Sequence, residues 1–560
     1  MSDAKEGLSD QAAQSTVALN PIVGLNREEL LRALGLVAVE ALRQPLLFTK
    51  HAGAYGTDLV NILRGASKYT PDPKDKRFAD KFWAENAVYK RGMQSFLALK
   101  KNVMNWVDDV DFDANDKTRA TFILDILTDA VAPTNSLIGN PLALKKAYDT
   151  RGQSVVKGLR NLYHDWTENG GMPSQVDKRP FKVGKNLATT EGQVVYRTEM
   201  LELLQFKPTT ENVYEKPLLV VPPQINKYYA SDLTPEKSMF RYILSKGIQL
   251  FAISWRNPTK QHANWGLANY VDEIIKASDV IRKITKQKSI NISGACSGGI
   301  TLATMLSVLA ARKDKRINSV TFQVCVLDPR TEDSDIGAFV SPRTIEFARQ
   351  RSKAKGILTG QDLSRTFAWL RPNDLIWNYV INNYLLGEDP PPFDILYWNN
   401  DSTNLPAQLH SDYLDMYEKH PMSNPGKVEF MGHKIDMSKV DHDTFIVAGV
   451  TDHITPWRAV YRTTQLLGSK NIEFILSSSG HIQSLINPPG NPKARFFTNK
   501  ALPPTPEEWV QGAGETKGSW WDTWAAWLQE RSGEQKAAPK KLGTPTFKPL
   551  GPAPGTYVHG

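Results

Sequence analysis

A cysteine between two glycines lies where a predicted strand is followed by a predicted helix. Residues 289–299 read SINISGACSGG, and the helix-forming run ITLATMLSVLAA comes directly after them. Glycines on both sides suit a sharp strand-to-helix elbow, because crowding and strained dihedral angles there exclude larger side chains. Serine is the usual residue at the centre of such an elbow. This sequence has Cys296 there, and we predict that Cys296 is a nucleophile.

Two further residues have the types and positions that an elbow nucleophile requires. In sheets of this kind the chain order is nucleophile, then Asp or Glu, then His. The strand predicted at 444–450 is followed by Asp452, and the strand predicted at 472–478 is followed by His481. We predict a catalytic triad of Cys296, Asp452 and His481, in which His481 moves protons and Asp452 orients its ring.

Backbone N–H groups near the elbow are predicted to hold a developing oxyanion. The helix after Cys296 presents the N–H of Ser297, and its dipole favours a thiolate. A second N–H is expected from the loop at Ile225 and Asn226, which follows the apolar strand at 217–221. Ser297, Ile225 and Asn226 are therefore the predicted oxyanion residues.

The residue pattern leaves three alternatives open. The elbow also reads as A-x-S-x-G, which makes Ser297 an alternative nucleophile, although the flanking glycines favour the cysteine. His453, next to Asp452, is an alternative base. Asp328, which follows the strand predicted at 320–327, is an alternative acid.

The elements that must position these residues follow residue 190, where strands and helices begin to alternate. This alternation predicts an α/β fold with a parallel sheet covered on both faces. At about 329–443 it gives way to helical, aromatic-rich sequence, which predicts a lid over the strand ends where ligands bind. We predict a mostly helical domain over 1–190. A catalytic domain over 191–560 is expected to end in a flexible tail at about 535–560.

Composition excludes several classes of function. The formal net charge of +9 and the isoelectric point of about 9.1 suit anionic substrates, but the basic residues are scattered and predict no nucleic-acid partner. Two cysteines form no disulfide framework or zinc cluster, and Cys325 falls inside a predicted strand as a buried apolar residue. No signal peptide and no apolar run of the ~18 residues that span a bilayer is present. We expect a cytoplasmic protein without a metal or a cofactor.

Cysteine in place of serine favours one type of chemistry. A thiolate exchanges readily with a thioester and gives an enzyme thioester of similar energy, so the acyl group stays activated for transfer to an alcohol. Hydrolysis of simple esters gives no reason for this change. The sequence therefore favours acyl transfer from a coenzyme A thioester, whose anionic phosphates suit the basic balance.

Several long motifs are spread across nearly the whole chain. They are GACSGG at 294–299, PPQINKYY at 222–229, SWRNPT at 254–259, RPNDLIWNY at 371–379, DHITPW at 452–457 and SSSGHIQSLINPPGNP at 477–492. Together these motifs resemble the polyhydroxyalkanoate synthases. The chain looks most like the single-subunit (class II) synthases of pseudomonads that use medium-chain-length monomers.

This resemblance implies an α/β-hydrolase fold and a reaction. The substrate would be (R)-3-hydroxyacyl-CoA, and the products a polyhydroxyalkanoate polyester and free coenzyme A. The family's catalytic Cys, Asp and His carry over onto Cys296, Asp452 and His481. Family members dimerise and work at the surface of cytoplasmic polymer granules. Trp398, in LYWNND, matches a family tryptophan linked to dimerisation, with packing inside the lid as the alternative.

Two other functions compete with a polymerising acyltransferase. One is a thioesterase or polyester depolymerase on the same fold, against which the cysteine argues. The other is a non-catalytic granule-coating protein, against which the complete Cys, Asp and His order argues.

Overall fold

The computed structural model describes residues 27–73, 75–330, 333, 340–370 and 372–560. None of the helices in these ranges is long and apolar enough to cross a membrane.

The chain begins with helices that pack on one another before any strand appears. The longest, at Ala87–Asp109, starts where the side chain of Asn86 accepts hydrogen bonds from two backbone N–H groups of the first turn. Trp106 on this helix is buried in a small apolar cluster separate from the main core. The helices are α1 Arg27–Arg43, α2 Pro45–Leu63, α3 Phe82–Glu85, α4 Ala87–Asp109, α5 Ala114–Ala130, α6 Pro141–Asp149 and α7 Gln153–Glu168.

One large mixed sheet follows, and within the described residues it has eleven strands. The strands of the chain are β1 Gly192–Arg197, β2 Leu201–Phe206, β3 Asn212–Tyr214, β4 Leu218–Val221, β5 Leu250–Trp255, β6 Ile290–Ala295, β7 Ile317–Gln323, β8 Ile357–Leu358, β9 Leu405–Pro406, β10 Glu429–Phe430, β11 His433–Lys434, β12 Asp443–Gly449, β13 Ile472–Ser477, β14 Arg495–Thr498, β15 Gly514–Lys517, β16 Gln535–Ala537 and β17 Gly551–Pro552. The spatial order of the large sheet is β15-β14-β13-β12-β7-β6-β4-β5-β2-β1-β17. The strands from β5 to β13 in this order are parallel, and those at both flanks are antiparallel.

Apolar side chains cover both faces of this sheet in two extensive clusters, which explains why β4, β5 and β6 are buried at every position. The remaining helices are α8 Met239–Ser245, α9 Leu267–Thr285, α10 Ser297–Ala311, α11 Pro342–Lys355, α12 Gly360–Leu370, α13 Asp394–Asn399, α14 Ala407–Lys419, α15 Trp457–Tyr461, α16 Thr463–Leu466, α17 His481–Leu485, α18 Pro506–Gln511 and α19 Trp520–Arg531.

The predicted helical insertion lies between β7 and β12. It contains α11 to α14 and two segments with π-helical turns, at Asn373–Trp377 and Val380–Leu385. The predicted α/β-hydrolase fold, with a lid insertion and a helical N-terminal region, is confirmed.

The segment predicted as a flexible tail is packed along the sheet instead. Its strand β16 pairs with β3 in a separate two-stranded sheet, and its strand β17 pairs with β1 at the edge of the large sheet. The backbone hydrogen bonds of these two pairings offset the low apolar content that suggested flexibility.

Candidate active site

Cys296 has the backbone conformation of a nucleophile elbow. It joins β6 to α10 with φ 49° and ψ −123°, a region that costs a non-glycine residue energy. The surrounding packing explains the glycines. A Cβ on Gly294 would lie 2.9 Å from the Cα of Gly299, and one on Gly298 would lie 2.6 Å from the carbonyl oxygen of Val221. The glycine pattern is thus required by close approach of neighbouring backbone.

Asp452 and His481 meet beyond the carboxyl ends of β12 and β13. The Nδ1 of His481 lies 2.7 Å from the Oδ2 of Asp452, and both side chains are almost fully buried. Burial alone would lower the pKa of His481, but the charge of Asp452 and the hydrogen bond to it raise that pKa well above its ordinary value. Burial would raise the pKa of Asp452, but His481 and then Thr455 lower it. The contact therefore favours the charged form of each partner.

The thiol faces the other side of the imidazole. The Nε2 of His481 is buried and, within the described part of the chain, has no partner that meets hydrogen-bond geometry. The Cys296 thiol still lies close enough to contribute to the raised pKa of His481. The structure thus brings the three predicted triad residues together in the order Cys296, His481, Asp452. Nδ1 of the ring contacts Asp452, and Nε2 is the nitrogen on the side of Cys296.

The alternative nucleophile, Ser297, and the alternative acid, Asp328, have other hydrogen-bond partners. The Oγ of Ser297 donates a hydrogen bond to the Oε1 of Gln224 at 3.1 Å, inside a buried network. The carboxylate of Asp328 accepts hydrogen bonds from Arg330 and Ser423, away from His481. The imidazole of His481 lies 2.7 Å from the carboxylate of Asp452.

The predicted oxyanion loop is fixed by the lid. Ile225 accepts a hydrogen bond from the N–H of Thr403 at 2.8 Å, and Asn226 forms an isolated antiparallel bridge with Ser402. Asn226 is buried, and its Oδ1 has no hydrogen-bond partner among the described residues. Closure of the insertion and the shape of this loop are therefore physically linked.

Sequence reasoning missed two residues that organise the site. Gln224 donates to Thr301 at 2.9 Å and accepts from Tyr413 at 2.8 Å as well as from Ser297, so one amide joins the loop, α10 and the lid. Gln224 directly precedes Ile225 and Asn226 in the sequence. A single glutamine does not indicate a role in the site, because its partners are distant in the chain.

Thr455 is the second residue that was missed. Its hydroxyl donates to Asp452 at 2.5 Å, lies 3.0 Å from the Nδ1 of His481, and its N–H also donates to Asp452. The run Asp-x-x-Thr after a strand was the signal that could have identified it.

Two other residues discussed from the sequence, Trp398 and Cys325, are buried in the structure. Trp398 is buried on α13, and its Nε1 donates to the carbonyl oxygen of Lys227 at 2.7 Å. Cys325 is also buried, behind the elbow, where burial raises the pKa of its thiol. Among the described residues, no group of three or more His, Cys, Asp or Glu side chains is placed to hold a metal ion.

Comparison with known proteins identifies two family matches. Residues 74–243 match the family described as the poly-beta-hydroxybutyrate polymerase (PhaC) N-terminus, and residues 217–488 match the alpha/beta hydrolase fold.

Curated relatives cover the whole chain. Poly(3-hydroxyalkanoate) polymerases 1 and 2 of Ectopseudomonas oleovorans are 48% and 47% identical, each over 99% of this chain and 98% of the relative. The poly(3-hydroxyalkanoate) polymerase subunit PhaC of Cupriavidus necator is 40% identical over 89% of this chain and 85% of its own.

Proposed function

Because the chain belongs to the family of poly(3-hydroxyalkanoate) polymerases, which are acyltransferases, we propose that it builds its polyester from (R)-3-hydroxyacyl-CoA. The acyl group passes through a thioester on Cys296, and coenzyme A is released. The observation that carries this proposal is the strained elbow cysteine beside a buried His481–Asp452 pair.

In the first step the enzyme takes up an acyl group. Cys296 and His481 share one proton, which is held on Nε2 of His481, and Sγ attacks the thioester carbonyl carbon as a thiolate. Backbone N–H groups at Ser297 and in the Ile225–Asn226 loop stabilise the oxyanion. The carbon–sulfur bond to coenzyme A then breaks, and the departing thiolate takes the proton back from His481.

In the second step the acyl group passes from Cys296 to an alcohol and not to water. The Nε2 of His481 accepts the proton of a 3-hydroxyl group, whose oxygen attacks the acyl carbon held on Cys296. An ester bond forms, the Cys296 carbon–sulfur bond breaks, and the sulfur is reprotonated from the imidazolium. The closed lid supports transfer over hydrolysis, because Cys296 is 5% exposed and His481 is 2% exposed.

Incubation with (R)-3-hydroxyacyl-CoA tests this function. We expect release of free thiol together with an insoluble polyester, and loss of both in Cys296→Ala. Thiol release with soluble hydroxy acid would instead identify a thioesterase. Absence of thiol release from the folded protein would identify a non-catalytic granule protein.

We also propose that the enzyme works at the surface of polymer granules and attaches through α7. One face of this helix carries Val156, Leu159, Tyr163 and Trp166, which are 60% to 75% exposed. In Leu159→Gln/Trp166→Gln we expect weaker co-sedimentation with isolated granules and unchanged initial thiol release in solution. Leu550→Gln, at an exposed leucine elsewhere, is the matched control. Equal sedimentation of both variants and the unsubstituted protein would contradict the attachment.

We propose a homodimer whose contact through Trp398 depends on lid opening. Trp398 is part of the lid, and its side chain is buried in this conformation, so a second copy cannot contact it. Sedimentation equilibrium should show a larger dimer fraction after acyl-CoA is added. A dimer fraction that does not depend on substrate would contradict the link to the lid.

A further inference from the structure

A pocket of about 340 Å³ opens beside the oxyanion loop, where the lid meets the segment after α7. Ile225 and Asn226 form its inner wall. Residues 359–365 and 399–404 of the lid and residues 169–178 form the remainder. The pocket is therefore built from the three parts of the chain that meet at the covered site.

The lining of this pocket is rich in carboxamides. Asn226 is 5% exposed, and its Oδ1 is a buried acceptor without a partner among the described residues. Asn399 and Gln361 also line the pocket. A buried, unpaired amide oxygen is costly unless a ligand supplies a donor. The walls thus suit a ligand that has its own amide N–H and C=O groups.

Two cations lie among the lining residues. Lys178 is exposed. The carboxylate of its neighbour Asp177 accepts a hydrogen bond from the guanidinium of Arg179 at 2.8 Å. Arg365 donates from one guanidinium nitrogen to the carbonyl oxygen of Gly170 at 2.7 Å, which fixes its orientation. Two cations on the wall of an otherwise neutral pocket favour a ligand with an anionic end.

The pocket adjoins the predicted oxyanion loop. Ile225 and Asn226 of that loop line it, and Ile225, Leu363 and Leu375 belong to the large buried apolar cluster that also contains Cys296. A ligand in the pocket therefore lies next to the loop that is predicted to face the thioester carbonyl.

We propose that this pocket binds the pantetheine arm of the coenzyme A thioester, with its phosphates at Lys178 and Arg365. The inference rests on the proposed function and adds to it the location of the carrier part of the substrate. In coenzyme A the pantetheine arm has two amide groups next to its thiol end and is joined to phosphates at its other end, which matches the order of groups in the pocket. An alkyl chain or polyester has no donor for Asn226 and no anion for the cations.

Steady-state kinetics with two thioesters of one hydroxyacyl group tests the cation end. One substrate is (R)-3-hydroxyacyl-CoA, and the other is the acyl-pantetheine thioester, which lacks phosphates. In Lys178→Ala/Arg365→Ala we expect KM to rise about tenfold for the CoA thioester and less than about twofold for the pantetheine thioester. The effect should shrink at high salt. Lys470→Ala, an exposed lysine outside the pocket, is the matched control.

Substitution of Asn399 tests the amide part. In Asn399→Leu, which keeps the size but removes hydrogen bonding, we expect KM to rise about three- to tenfold for both thioesters. Unchanged KM values in both variants would overturn the inference, as would cation effects of equal size on both thioesters. A changed product chain length with unchanged KM would assign the pocket to the polyester and also overturn it. Failure of the unsubstituted protein to release thiol would instead refute the proposed function.

Discussion

The chemistry of a single residue depends here on its backbone. Cys296 is held at φ 49° by hydrogen bonds at both its peptide groups, since its N–H donates to Gln323 at 3.0 Å and its carbonyl oxygen accepts from Gly299 at 2.9 Å. A non-glycine residue in such a region costs about 1–3 kcal/mol, which the surrounding structure must offset. This conformation holds the Cys296 side chain close to His481.

Substitution at the elbow should separate the two nucleophile candidates. We expect Cys296→Ala to lower kcat by at least about 10⁴-fold, because the covalent step is removed. Ser297→Ala should lower kcat by less than about tenfold, because it removes only one hydrogen bond to Gln224. Cys325→Ala, at the other cysteine, is the control and should stay active. Full activity of Cys296→Ala, or inactivation only by Ser297→Ala, would contradict the assignment.

The buried His481–Asp452 pair predicts a pH dependence of stability. The folded protein binds the His481 proton more tightly than the unfolded chain, whose histidine pKa is about 6.5. The stabilisation is therefore complete below that value and is lost as the pH rises through the raised pKa. Urea unfolding from about pH 7 to about pH 10 should show a falling free-energy difference between the unsubstituted protein and His481→Gln, by at least about 1 kcal/mol.

A second, partly buried histidine supplies a control with the opposite sign. Burial lowers the pKa of His442, so its contribution is lost as the pH falls rather than as it rises. His442→Gln should therefore leave the alkaline decline unchanged and reduce acid destabilisation. An alkaline decline that persists in His481→Gln would show that another group causes it.

At the scale of elements, the lid and the oxyanion loop form one unit. Thr403 on the lid donates through its hydroxyl to the carbonyl oxygen of Gln224 at 2.6 Å and through its N–H to Ile225. Tyr413 on α14 adds a hydrogen bond to the side chain of Gln224. We therefore expect a lid that lifts away to break these contacts and release the loop.

The Gln224 network should therefore affect kcat more than KM. We expect Gln224→Leu to lower kcat about 10- to 100-fold with little change in KM, because a positioned oxyanion donor is worth a few kcal/mol in the transition state alone. Tyr413→Phe should have a smaller effect, because Gln224 keeps its other partners. The double variant should be non-additive by at least about 0.5 kcal/mol in stopped-flow acylation. Additive effects, or a rise in KM alone, would contradict a positioning role.

The sequence predicts those site residues whose pattern lies within a short segment of the chain. Cys296 lies in a turn whose glycines are adjacent, and the positions of Asp452 and His481 follow from strand ends, so short segments predicted all three. The Gln224 network joins side chains up to 189 residues apart in the chain (224 to 413), and only folding brings them together. Their catalytic roles stay predictions until variants are measured.

At the scale of the whole molecule, the last residues close the sheet that the first strands begin. Glu202 on β2 is fully buried and accepts hydrogen bonds from Arg197, from the N–H and hydroxyl of Thr556, and from the N–H of Tyr557. The ring of Tyr557 in turn lies 4.2 Å from the guanidinium carbon of Arg256. One buried carboxylate thus adds to the strand pairing that holds this segment, which is poor in apolar residues. Composition could not show this, because the carboxylate belongs to a strand about 350 residues earlier in the chain.

Removal of this carboxylate should release the tail and lower stability. In Glu202→Gln we expect the free energy of unfolding to fall by about 2–4 kcal/mol, because one buried charge network loses its acceptor. Limited proteolysis should then cut within residues 538–560 faster than in the unsubstituted protein. Glu191→Gln, which removes an exposed pair with Lys207 next to the same sheet edge, should change stability by less than about 0.5 kcal/mol. Equal proteolysis in both variants would show that pairing of β16 and β17 holds the tail without Glu202.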